Sequence, residues 1–237
     1  IDSYGKYDVR AAIDYIQQQR PESPISYVGH SLGGMAAAIF LAHHGQEDLQ
    51  SLIIVASPMD FSHPDPLWKL ASFGAKISSF GIQTPWLGRL ASRMKKSPFG
   101  VEDMIWNQKN ITQSTRKQLL RDIISPMTRN ELRQLSQFIN RRSFSSTDHK
   151  KNYQKELLKI TIPTMFIAGR KDYIVPADRV WAYHQALGGP KKKFILAAKA
   201  EGFAEDYGHL GYALGKHAKK EIYPLILEWL EKEGKKK

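Results

Sequence analysis

The chain has 237 residues, 42% hydrophobic and 24% charged, enough for one globular domain with a substantial core, or a core plus an inserted subdomain. It has no cysteine, which excludes disulfides, thiolate-held metals and a thiol nucleophile, and it has no apolar run approaching the roughly 18 residues of a membrane-spanning helix. The formal net charge of +12 is uneven: residues 1–59 carry 3 basic and 6 acidic side chains, residues 60–160 carry 18 and 8, and residues 161–237 carry 14 and 9. A basic excess of this kind is first a solvated surface and second a means of peripheral contact with an anionic membrane. No nucleic-acid-binding module accompanies it, so nucleic acid is not an expected partner.

In chain order, Ile1 stands directly ahead of a helical pattern. The expectation is that further strands of the fold, and any targeting signal, precede it; cytoplasmic location is favoured. Val9, Ala12, Ile13 and Ile16 recur at helical spacing over residues 6–19, and Pro21 and Pro24 frame the loop that follows. Ile25–Val28 reads as a short buried strand. Residues 32–44 read as a helix rich in small residues, with Gly45 as its C-cap. Leu52–Ala56 is apolar throughout, as strands of parallel sheets are. Strand, helix and strand at this spacing make a βαβ unit and predict a mostly parallel sheet with helices on both faces.

From Met59 to about Lys159 the pattern turns helical, punctuated by prolines. Thr128-Arg129-Asn130-Glu131 is a capping box, and Leu132, Leu135, Phe138 and Ile139 share the face of the helix it starts. The sheet pattern resumes at Thr164–Ala168, followed by a helix from about Asp178, a strand over Phe194–Ala198, and a last helix holding Ile222, Leu225, Ile226, Trp229 and Leu230. Pro224 falls in the early turns of that helix, where a missing N–H costs least.

The stretch that carries chemistry is Tyr27-Val28-Gly29-His30-Ser31-Leu32-Gly33-Gly34. A strand enters it and a helix leaves it, so Ser31 sits at the apex of a tight turn and at a helix N-terminus, where free N–H groups can hold an oxyanion. Glycines two residues either side are expected because side chains there would collide with the adjoining strand and helix. Gly29-His30-Ser31-Leu32-Gly33-Gly34 resembles the nucleophile elbow of the serine α/β-hydrolases, the lipase and esterase superfamily. Tyr7-Asp8-Val9-Arg10-Ala11-Ala12-Ile13-Asp14-Tyr15-Ile16 resembles the helix before the elbow in acid-lipase-like enzymes and polyhydroxyalkanoate synthases. The Asp206-Tyr207-Gly208-His209 loop fits both groups; those synthases use cysteine, whereas Ser31 points to hydrolysis.

The resemblance implies an α/β-hydrolase fold whose N-terminal strands are missing. It divides the chain into a core over 1–59 with the elbow, a helical cap or lid over 60–159, and a core over 160–237 with the acid and histidine loops. It implies the chain order serine, acid, histidine. Asp172 follows an apolar strand in Ala168-Gly169-Arg170-Lys171-Asp172, like the family's acid loop, and His209 follows the last strand in Tyr-Gly-His-Leu. Of the other histidines, His43, His44, His184 and His217 lie in or near helices and His63 and His149 in the insertion. The His30 side chain is expected to point away from the nucleophile's side; with Trp68, Trp86 and Trp106 it is kept among the candidate substrate contacts. Glu205 and Asp206 are expected to shape the histidine loop. Leu32 N–H is the expected oxyanion donor, and the second donor belongs to a loop that would precede residue 1.

The implied activity is hydrolysis of carboxylic esters with a medium or long acyl chain through Ser31, His209 and Asp172, with no metal and no cofactor. The alternatives are acyl transfer on the same triad and a catalytically incomplete, lipid-binding member of the fold.

Overall fold

The computed structural model describes residues 1–63, 92–94, 101–123 and 128–234. Its centre is a four-stranded, wholly parallel sheet: β1 (Ser26–His30), β2 (Ser51–Val55), β3 (Thr164–Gly169) and β4 (Lys192–Ala197), in that spatial order. β1 runs two residues beyond the expected Val28, because Gly29 and His30 go on pairing with Ile54 and Val55.

Helices cover both faces, and the unbroken apolar runs of β2 and β3 explain how. Leu52, Ile54, Phe166 and Ala168 point into one core, while Ile53, Val55, Met165 and Ile167 point into another. The alternation of side chains along a strand turns a run with no polar gap into two buried faces. The first core receives α1 (Arg10–Gln19), which continues a π-helical turn at Tyr4–Val9, and α2 (Leu32–His44). Every residue from Gly34 to Ala42 in α2 is buried, as befits a helix apolar all round. Gly45 closes it at φ 80°.

In α1 only Ile13 is buried, with Val9 just before it; Ile16 is 43% exposed and Ala12 is also exposed, so the apolar stripe is narrower than its spacing suggests. Within residues 60–159, α3 (Val101–Ile105), α4 (Gln113–Gln118), α5 (Arg129–Arg141) and α6 (Tyr153–Leu157) are described. Both halves of the Thr128–Glu131 capping box form. Phe138 and Phe144 join the sheet's first core beside Phe61 and Tyr153.

After β3 come α7 (Ala177–Ala186), β4, the short α8 (Gly211–Leu214) and α9 (Ala218–Glu233). α9 seals the second core with Ala218, Ile222 and Trp229, and it carries Pro224 in its second turn. No helix among the described residues is long and apolar enough to cross a membrane.

Candidate active site

Because all four strands are parallel, the turns after β1 and β3 and the loop after β4 leave the sheet at the same edge. This is where open α/β sheets bind ligands. Ser31 follows β1 immediately, Asp172 follows β3 by three residues, and His209 lies in the loop between β4 and α8.

Ser31 has φ 52° and ψ −117°, a conformation that non-glycine residues avoid and that is held only where the surroundings over-determine it. They do so here. Ser31 N–H donates to Val55 O at 2.9 Å, fixing the turn to β2, and Ser31 O accepts from Gly34 N–H at 3.1 Å as α2 begins. Leu32 is the first residue of α2, so its N–H has no intrahelical acceptor.

The steric expectation for the glycines divides. A Cβ on Gly29 would lie 2.7 Å from backbone atoms of Gly33 and Gly34, and one on Gly34 would strike Ser57. A Cβ on Gly33 would meet nothing within 4 Å among the described residues. Its place in the motif therefore has no collision behind it among the described residues.

The three polar side chains form one chain of hydrogen bonds. His209 Nε2 lies 2.8 Å from Ser31 Oγ, and His209 Nδ1 lies 2.9 Å from Asp172 Oδ2. A carboxylate accepts, so Nδ1 carries the proton and Nε2 is free to accept from the serine hydroxyl. Asp172 is 3% exposed and is held from behind, where its Oδ1 accepts from Ile174 N–H at 3.1 Å and Val175 N–H at 2.8 Å. Tyr212 donates its hydroxyl to Asp172 Oδ2 at 3.3 Å, and burial, then the Asp172 charge, pushes the phenol well above its ordinary pKa. Tyr212 escaped sequence reasoning, although its position one helical turn after His209 was a usable signal.

His30 does not point away from this side. β1 ends at the sheet edge over which the histidine loop folds, and the His30 ring lies 4.8 Å from the His209 ring. Its Nε2 sits 2.8 Å from His209 O, so that nitrogen donates. Burial first, then the neighbouring His209, holds the His30 pKa down to about 4, while Asp172 opposes the shift. Between the ordinary value of 6.5 and about 4, the unfolded chain therefore binds a proton that the folded chain refuses, and stability falls as pH drops through that window. His43 and His184, also lowered by burial, add to the same slope in any variant. A His30→Gln variant should lose less thermal stability than the parent between pH 6.5 and 4; parallel melting curves would remove His30 from this account.

Trp68 and Trp86 lie outside the described residues. Trp106 is 1% exposed, enclosed with Ile111, Leu119 and Leu120, and its indole N–H has no partner among the described residues. Asp206 does shape the histidine loop: its Oδ1 accepts from Lys199 N–H at 2.9 Å and its carbonyl accepts from Asn107 Nδ2 at 2.8 Å. Glu205 lies 3.9 Å from Lys199 Nζ.

A family model of the alpha/beta hydrolase fold matches residues 1–215. Monoglyceride lipase of Mus musculus is 32% identical over 85 residues, which are 36% of this chain and 27% of that protein. Poly(3-hydroxyalkanoate) polymerase of Methylorubrum extorquens is 24% identical over 212 residues, which are 83% of this chain and 34% of that one. The chain thus spans about a third or less of the length of either curated relative. Among solved structures, the Paleococcus ferrophilus monoacylglycerol lipase superposes with a TM-score of 0.60 at 16% identity, over 95% of this chain and 76% of that one, a likeness of fold.

Proposed function

The chain belongs to the alpha/beta hydrolase fold family, and on that premise we propose that it is a serine hydrolase of carboxylic esters that works through an acyl-enzyme. The observation that carries this reading is the relay from Ser31 Oγ to His209 Nε2 at 2.8 Å and from His209 Nδ1 to Asp172 Oδ2 at 2.9 Å, set on a strained elbow.

Ser31 Oγ attacks the ester carbonyl carbon as its proton passes to His209 Nε2. Asp172 holds the imidazole in the required tautomer and offsets the charge of the imidazolium. Leu32 N–H, at the start of α2, donates to the oxygen that becomes negative. Collapse of the tetrahedral intermediate breaks the bond to the leaving alcohol, which takes the proton from Nε2. Water then repeats the sequence on the acyl-enzyme and releases the acid.

The substrate we favour is a lipid monoester with a medium or long acyl chain. The likeness to monoglyceride lipase supports it, as does a segment over 60–159 that we read as a cap. The basic excess of that segment fits a substrate presented at an anionic lipid surface. The likeness to the polymerase over 83% of this chain favours a second reading, acyl transfer to an alcohol acceptor on the same residues.

The test is product analysis on monoacylglycerols and on simple esters of increasing acyl length, with and without an added alcohol. Free acid as the main product, rising with chain length, is expected. New ester exceeding free acid would favour transfer, and no product from any ester would overturn both readings.

A further inference from the structure

We propose that Asn107 is a positioning residue for His209, and that residues 105–107 of the insertion form the seat on which the histidine loop rests. The proposal rests on the reading of His209 as the general base.

His209 must serve two partners at once, at 2.8 and 2.9 Å, yet it lies outside any strand. The sheet reaches its loop through His30 Nε2, which donates to His209 O at 2.8 Å, and through Tyr207, whose N–H donates to Ala197 O at 3.1 Å and whose carbonyl accepts from Lys171 N–H at 2.9 Å. Contacts from residues 105–107 brace the loop from the other side. Asn107 Nδ2 donates to Asp206 O at 2.8 Å, three residues before the histidine. Leu210 N–H, one residue after it, donates to Ile105 O at 3.1 Å. Between them the chain passes so close that a Cβ on Gly208 would lie 2.8 Å from Asn107 N and from Trp106 Cα. The glycine beside His209 is therefore required by the seat rather than by loop flexibility.

Asn107 is itself held in place. It is 6% exposed, and its Oδ1 caps the short turn Gln108–Asn110 by accepting from Lys109 N–H at 3.1 Å. The far end of that turn is fastened as well, since Asn110 O accepts from Lys216 N–H at 2.7 Å and Lys109 O accepts from Lys216 Nζ at 2.9 Å. Trp106 anchors the seat from beneath, packed with Ile111, Leu119 and Leu120, and Leu210 and Leu214 close over the same cluster. Glu102 and Arg116, both nearly inaccessible, pair across the segment and hold its ends together. A shift of this segment would move the histidine loop with it, and displacement of a reacting group by about 1 Å can cost on the order of a hundredfold in rate.

The experiment compares Asn107→Ser and Asn107→Asp with the parent, with kcat expressed per site labelled by a fluorophosphonate. Both variants keep an oxygen to cap Lys109 N–H, and both remove the Nδ2 amide that reaches Asp206 O. The expected result is a kcat roughly ten- to a hundredfold lower with KM within about twofold, and slower labelling in proportion. For Asn107→Ser, whose replacement is uncharged, the melting temperature should stay close to the parent's.

A parental kcat per labelled site in either variant would overturn the proposal, because a purely structural role alters the number of active sites and not their turnover. Failure of both variants to give any folded, labelled protein would overturn it as well, making Asn107 a folding residue. A parent that is itself unlabelled would overturn instead the reading of Ser31 and His209 on which the proposal rests.

Discussion

Replacing Ser31 with alanine is expected to lower kcat on the order of a millionfold and to abolish fluorophosphonate labelling, because nucleophile and base act as one unit. For the same reason Ser31→Ala combined with His209→Ala should be little worse than either alone. Asp172→Asn should cost less, about ten-thousandfold, and the geometry says why. Asp172 Oδ1 takes two backbone N–H donors, from Ile174 and Val175, so an asparagine must keep its oxygen there. Its amide nitrogen then faces His209 Nδ1, which must accept, and the ring proton moves to Nε2. The imidazole can no longer take the proton of Ser31. Labelling that survives in Ser31→Ala would place the nucleophile elsewhere. An Asp172→Asn enzyme within tenfold of the parent would shift the acid's role to another carboxylate.

That these three residues belong to one candidate site was legible in the sequence because each sits where a period changes. Ser31 is the residue between the strand Ser26–His30 and a helix apolar on every side, and Asp172 comes three residues after the apolar run Met165–Gly169. His209 was separable from seven other histidines by its place after the last strand. What was not legible depends on contacts across the chain. The direction of His30 is set by the histidine loop folding over the end of β1, 179 residues away in sequence. The roles of Tyr212 and Asn107 are likewise fixed by where their partners arrive. Nothing in the spacing of Phe138 and Phe144 distinguishes a separate helical core from the sheet's own.

The three glycines of the elbow give the sharpest contrast between motif and structure. As a pattern they are equivalent; as atoms they are not. Gly29→Ala would set a Cβ 2.7 Å from the backbone of Gly33 and Gly34, where no side chain can rotate aside. It should destabilise by about 3 kcal/mol or more, a fall of roughly 6–12 °C in melting temperature for a chain of this size. Gly33→Ala meets no described neighbour and has a helical backbone, and should be neutral or stabilising by about 0.5 kcal/mol, since alanine loses less conformational entropy than glycine. Gly34→Ala lies between: its new Cβ meets Ser57, with the serine Cβ at 2.6 Å, and Ser57 is buried with its Oγ donating to Val55 O at 3.2 Å. Removing that side chain should therefore relieve it, so Gly34→Ala with Ser57→Gly should be more stable than the sum of the single changes predicts. Denaturant midpoints at constant m-value decide the matter. If Gly33→Ala proves as damaging as Gly29→Ala, close packing is not what constrains this turn. If the Gly34–Ser57 cycle shows no coupling, the cost at Gly34 lies in the backbone and not in its neighbour.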